Sequence, residues 1–207
     1  MEGETITLNN SMRFANRAIT SNEKQSLKQA QDGDTSAFEQ VVKSYQQRVQ
    51  AIAYRIVGDR EGARDVAQEV FIRLYRFLGQ YKNNKQFFTW LYRIIVNASF
   101  DYLKKQNRFQ TVPLEDIPEN IPELVYHANQ QEEMAVIITK FVDTLSSPQR
   151  AAFLLREVEN LSCKEIGEIM QCPTGTVRSY LFYARKNLKS LIEKHYPEYM
   201  KGHGNEL

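Results

Sequence analysis

Between Gly175 and Lys189 the chain reads GTVRSYLFYARKNLK, with cations at Arg178, Arg185, Lys186 and Lys189 and no acid among them. A solvated helix face usually mixes the two signs, so four unopposed cations point to a polyanion. A guanidinium offers paired donors that match a guanine edge or a phosphate, while lysine meets phosphate as a point charge. Phe182 and Tyr183 add ring surface suited to a thymine methyl or a sugar. This is recognition chemistry. For catalysis the sequence offers no Ser/His/Asp set, no Gly-rich phosphate loop and no carboxylate pair at motif spacing, so an enzyme is not expected. Cys163 and Cys172, with His127, His195 and His203 scattered, fall short of the four ligands a zinc site needs and read as structural thiols. Neither metal nor cofactor is expected.

Such a face needs a helix to carry it. The short stretch LSCKEIGEIM carries a capping box in Ser162 and Glu165, and Leu161 can staple to Ile166. After a turn at Gln171-Cys172-Pro173, a second helix buries Val177, Leu181, Ala184 and Leu188. Helix, turn and basic helix make a helix-turn-helix, leaving Thr176, Arg178, Ser179, Phe182, Tyr183, Arg185, Lys186 and Lys189 for a DNA groove and its walls. Upstream, Ser147-Pro148 reads as N-cap and first helical residue, with Ala151, Leu154, Leu155 and Val158 inward.

The remaining chain is helical by periodicity. Phe38, Val41, Val42, Tyr45, Val49, Ile52, Ala53 and Ile56 recur at three and four, with Asp34 or Ser36 as the N-cap. Gly58-Asp59 ends that helix and caps the next, whose stripe is Ala63, Val66, Ala67, Val70, Leu74 and Phe77. A polar loop from Gly79 to Gln86 leads to a third helix with Leu91, Ile95, Ala98 and Tyr102 inward. Its other face carries Trp90, Arg93, Asn97, Asp101, Lys104 and Arg108.

The net charge of +2 conceals a pattern: 24–108 carries +7, 109–134 carries −6 and 135–195 carries +3. Two basic segments flanking an acidic one suggest two contacts with nucleic acid. Three prolines, Pro113, Pro118 and Pro122, lie in the acidic stretch and mark it as a linker. The expected fold class is all-α: two small helical domains joined by a flexible acidic linker. The expected boundaries are a tail at 1–22, a first domain at 23–108, the linker at 109–133, a helix-turn-helix domain at 134–195 and a tail at 196–207. With no bilayer-length apolar run and no signal-peptide core, the chain is expected to be cytoplasmic and not inserted in a membrane.

The stretch LSCKEIGEIMQCPTGTVRSYLFYARKNL resembles the fourth-region domain of the extracytoplasmic-function (ECF) sigma factors, whose pattern is close to LSxxEIAxxxxCPxGTVRSxLxRARxxL. DVAQEVFIRLYRFL and FFTWLYRIIVNASFDYLKKQNR resemble that family's second-region domain, in the same order. The resemblance implies a transcription initiation factor that binds core RNA polymerase, through its β′ and β subunits, and directs it to promoter DNA. It puts polymerase binding on Asp65, Gln68, Glu69, Ile72 and Arg73. It assigns reading and opening of the minus-ten element to the 79–87 loop and the next helix. The residues concerned are Gln80, Tyr81, Lys82, Asn83, Asn84, Trp90, Arg93, Asn97, Lys104, Lys105 and Arg108. An extruded base needs both ring surface and hydrogen bonds, and the polar loop beside Phe87, Phe88 and Trp90 offers both. The minus-thirty-five element falls to the helix-turn-helix face, and an anti-sigma factor is a further expected partner. Tyr180 and Tyr183 stand where the family more often has basic residues, which puts the usual minus-thirty-five sequence in doubt. A helix-turn-helix regulator acting without polymerase, or a helical adaptor between proteins, are the other readings; co-purification with the β′ subunit and transcription with purified core separate all three.

Overall fold

The computed structural model describes residues 19–81, 87–109, 138 and 140–197, with no side-chain detail at 107–109. The expected linker, apart from Phe109, which ends the last helix of the N-terminal half, and most of both tails lie outside them. All regular elements among the described residues are helical. The N-terminal half comprises α1 (Ser21–Gln31), α2 (Thr35–Val57), α3 (Arg60–Phe77) with a 3₁₀ turn at Leu78–Gln80, and α4 (Phe87–Phe109). The C-terminal half comprises α5 (Ser147–Phe153), which runs on as a π turn over Leu154–Val158, then α6 (Cys163–Met170) and α7 (Thr174–His195).

Local chemistry sets most of the helix starts. Asp34 accepts from Ser36 N and Ala37 N, and Asp59 accepts from Glu61 N and Gly62 N. Ser162 and Glu165 form the reciprocal capping box at α6. Each cap fills backbone donors that the first helical turn leaves unpaired. Gly58 ends α2 at φ +83°, a left-handed conformation that costs glycine nothing, and so lets Asp59 start α3 at once.

Two helix starts differ from the expectation. α1 begins at Ser21, inside the stretch read as a tail, because Thr20 and Glu23 form a second capping box. Its apolar anchors are only Leu27 and Ala30, too few to show as a stripe. α5 takes Ser146 as its N-cap residue, without a side-chain cap bond, one position before the expected Ser147.

In the N-terminal half, α2, α3 and α4 pack around Val49, Ala53, Val66, Val70, Leu74, Leu91 and Ile95, with α1 laid across α2. In the C-terminal half, α5, α6 and α7 enclose Leu155, Ile166, Ile169, Val177 and Ala184. The two halves do not stand apart, since α6 also packs on α4 and the buried apolar residues form one continuous cluster.

Candidate nucleic-acid interface

The helix-turn-helix is built by α6 and α7. Gln171 closes α6 in the left-handed region at φ 55°, and its N–H returns to Gly167 O. Gly167 lies so close to the turn that a Cβ there would stand 2.9 Å from the Cys172 carbonyl oxygen. Pro173 O then accepts from Thr176 N and Val177 N, starting α7 at Thr174. Val177, Leu181, Ala184 and Leu188 are buried, as the spacing predicts, and Ile192 continues the stripe. The opposite side is open: Phe182 is 63% exposed and Tyr183 51%, with their rings edge to face at 5.4 Å. Arg178, Ser179 and Lys186 are exposed, while Thr176 and Lys189 are half-buried.

Two residues of this face have other commitments. Arg185 Nη2 lies 2.6 Å from Glu157 Oε1 in the π turn, so its charge is partly answered within the protein. The Ser179 hydroxyl donates to Gly175 O at 3.1 Å, one turn back along its own helix. The second partner follows from the i to i−4 spacing of α7, but Glu157 lies outside the helix and does not.

The second basic surface centres on α4. Tyr81 stacks on Trp90 with centroids 5.1 Å apart and planes 21° from parallel, and both rings lean on Phe87. Phe87 itself is core, and Phe88 packs against Tyr45. Burial pushes the Tyr81 hydroxyl above its ordinary pKa, so it stays a neutral donor. Gln31 Nε2 donates to Leu78 O at 3.0 Å and to Tyr81 O at 2.8 Å, so α1 holds the 3₁₀ turn and Tyr81 after it. Sequence reasoning passed over Gln31, since nothing along the chain relates it to a residue fifty positions on.

Beyond the rings, Arg93 and Asn97 are half-buried and Gln80, Lys104 and Lys105 are exposed. Lys82, Asn83 and Asn84 and the Arg108 side chain lie outside the described residues. A helix face thus joins an aromatic step to cations one to four turns further along.

On α3, Asp65, Gln68 and Ile72 face solvent, and Tyr75, exposed at the next turn, extends the patch. Glu69 and Arg73 belong less to this face. Arg73 bonds Glu69 at 2.6 Å and reaches across to Asp101 of α4 at 2.9 Å. The hydrogen bond to Glu69 raises the Arg73 pKa, burial opposes that, and the bond to Asp101 adds to the rise. Arg73 therefore ties α3 to α4.

These features define a class: an all-helical DNA-binding protein with a helix-turn-helix at one end and a second basic, aromatic surface at the other. Family models of sigma-70 region 2 and sigma-70 region 4 match residues 41–109 and 135–188. The RNA polymerase sigma-H factor of Pseudomonas aeruginosa is 33% identical over 183 residues, 83% of this chain and 94% of that protein. The ECF RNA polymerase sigma-E factor of Escherichia coli is 36% identical over 179 residues, 81% and 92% of the two chains. Among solved structures, CnrH in complex with the cytosolic domain of CnrY aligns with a TM-score of 0.59 at 19% identity, over 84% of this chain and 99% of that one. Sigma factor RpoE from Bartonella quintana, in complex with the anti-sigma factor NepR, aligns with a TM-score of 0.58 at 21% identity, over 75% and 96%. At such identities the two structures speak to the fold. The chain belongs to the sigma-70 family, in its ECF group. It is a promoter-directing transcription initiation factor.

Proposed function

We propose that α7 reads the minus-thirty-five element, that Tyr81, Trp90 and the outer face of α4 serve the minus-ten element, and that α3 binds core polymerase. The observation that carries the first assignment is the open, acid-free face of α7 with Arg178, Phe182, Tyr183 and Lys186 exposed together. Arg178, in the first turn after Gly175, addresses base edges, whereas Lys186 and Lys189 further along meet phosphate. With Arg185 answered by Glu157, its share in phosphate binding is the smaller one.

At the minus-ten element, strand opening needs a surface for a base that has left the stack. The Tyr81–Trp90 pair supplies rings, Lys82, Asn83 and Asn84, next along the chain, supply hydrogen-bonding groups, and Lys104, Lys105 and Arg108 hold backbone. Asp65, Gln68 and Ile72 form the polymerase contact on α3, joined by Tyr75 and facing the β′ subunit, with β a further contact. The factor has no catalysis of its own, acts in the cytoplasm beside polymerase, and is held in check by an anti-sigma factor. That last point is supported by its structural neighbours, CnrH in complex with the cytosolic domain of CnrY and RpoE in complex with the anti-sigma factor NepR.

Co-purification with core polymerase and transcription from single-base promoter variants test the reading. Gln68→Ala is expected to weaken association with core while helicity is retained. Unchanged co-purification would remove the α3 face from the polymerase contact.

A further inference from the structure

Gln31 is the last residue of α1, a helix with only two buried apolar anchors, Leu27 and Ala30. Eleven residues are too few for a helix to stand alone in water, so α1 is held by its capping box and by packing on α2. Its C-terminal end is fixed closely. Asp32 N donates to Lys28 O and Asp34 N to Gln29 O, while Gly33 takes the left-handed φ of 98° that turns the chain into α2. Asp34 then caps α2 at once. Gln31 therefore projects from a stiff corner of the backbone.

What it meets is the far end of α3. Nε2 donates to Leu78 O at 3.0 Å and to Tyr81 O at 2.8 Å, so both amide hydrogens are used. Two carbonyl acceptors also decide which way the amide points, since its own oxygen would repel them. Leu78 O accepts from Tyr81 N at 3.0 Å as well. Tyr81 is thus held on both sides of its Cα, through its N–H by Leu78 and through its carbonyl by Gln31. This is where the 3₁₀ turn gives way to extended backbone, at φ −68° and ψ 120°. From that backbone the Tyr81 ring lies 5.1 Å from Trp90, 21° from parallel, and 5.7 Å from Phe87, edge on. Freeing the carbonyl would let the backbone turn about Tyr81 and carry the ring off Trp90.

We propose that Gln31 is a positioning residue for promoter opening: it sets the Tyr81 ring against Trp90 and so fixes the step that receives the unstacked base, taking these two rings as the minus-ten surface assigned above. Stacking depends on plane and offset, so a step that wanders between orientations spends part of its time unable to take a base. Fixing it in advance removes that ordering cost from strand opening. On this view α1 belongs to the opening apparatus, although none of its residues need touch DNA.

Trp90 is the one tryptophan of the chain, so its fluorescence reports the stack directly. Emission and acrylamide quenching are read on the full-length protein, with far-UV circular dichroism as the control for folding. Q31M keeps the side-chain size and loses both donors, and Q31E keeps the shape but turns an acceptor toward two carbonyls. Both should shift Trp90 emission to the red and raise its quenching while helicity is kept. Q31K, whose ammonium can donate to both oxygens, should return the spectrum toward wild type. S26A removes a hydrogen bond from α1 to α2, Ser26 Oγ to Gln40 Oε1 at 3.1 Å, and should leave Trp90 as it was. In holoenzyme, Q31M should slow permanganate-detected opening about tenfold, the scale of one or two net hydrogen bonds, with core association and closed-complex affinity unchanged. An unshifted Trp90 in folded Q31M and Q31E overturns the proposal. So does an S26A shift equal to that of Q31M, which would trace the effect to α1 packing in general. Y81A separates this role from the reading beneath it. If Y81A slows opening and Q31M does not, Gln31 does not position the step. If Y81A itself leaves opening unchanged, the assignment of the ring to the minus-ten element falls and takes the proposal with it.

Discussion

Phe182 and Tyr183 on α7 stand open to solvent, while Tyr81 and Trp90 beside α4 stack on each other and on Phe87. Both surfaces are basic and aromatic, yet only the first is ready as it stands. A duplex reader meets an intact groove, so its side chains can project freely from a rigid helix. A strand opener must offer ring surface to a base that arrives only after unstacking, and rings held against the core are positioned in advance without inviting aggregation. The contrast extends to charge. Among the described residues, the one α7 cation with an acid partner is Arg185, whereas α4 is tied to α3 through Asp101 and to the C-terminal half through Tyr92. α7 is thus free on its outer side, and α4 is shared among three neighbours.

The contrast predicts different failures. Trp90→Ala should have the largest effect, because it removes half of a packed pair as well as a stacking surface. A stability loss of about 3 kcal/mol is expected in urea unfolding. Permanganate reactivity of promoter thymines should fall while duplex binding through α7 persists. If Trp90→Ala leaves stability untouched, the ring is not packed and the contrast fails. Arg178→Ala should leave the fold intact and cost about 2 kcal/mol on the proper minus-thirty-five sequence, flattening preference at one or two base pairs. A uniform loss across every single-base variant would show that Arg178 reads no base.

Within α7, Lys186→Ala should weaken binding to all sequences and lower the salt slope by about 0.9, one phosphate's worth. Arg185→Ala should lower it less, since Glu157 already neutralises part of that charge. Equal slopes would mean that the ion pair opens on DNA. The smallest effect concerns Asp59, the N-cap of α3. The hydrogen bond from Gly62 N, with those from Glu61 N and Tyr102, holds its carboxyl below the ordinary range, against a desolvation effect that raises it. A folded pKa below the unfolded one means stabilisation that is present above the unfolded value and lost as pH falls through the folded one. Asp59→Asn keeps one acceptor oxygen but loses the other and the charge, so it should melt somewhat below wild type near neutrality and decline less steeply from about pH 4 downward. An acid limb identical to wild type would show that Asp59 contributes nothing to it.

What could be read along the chain was local or periodic. Asp34, Asp59 and Ser162 cap helices through bonds to residues two or three positions ahead, a range that spacing captures. The stripe Val177–Leu181–Ala184–Leu188 set the inward side of α7 and therefore its outward one. α1 escaped notice because Leu27 and Ala30 make too short a stripe.

Other features needed three dimensions. Whether an aromatic on an amphipathic helix packs or projects is decided by its neighbours, which is why Phe87 is core and Phe182 is not. Arg73 was read as surface from its place on α3, but Asp101, twenty-eight residues on, draws it toward α4. Arg185 is answered by Glu157 at the same sequence separation, from a π turn that no periodicity announces.

The helices, their caps and the acid-free recognition face were set by residues within a few positions of one another, because hydrogen bonds and side-chain stripes along a helix act over one or two turns. Which carboxylate answers which arginine, and that Glu159 and Arg150 reach across to α4 and α2, depended on the halves meeting in space. Contacts of that kind join residues by distance, and separation along the chain leaves them unmarked.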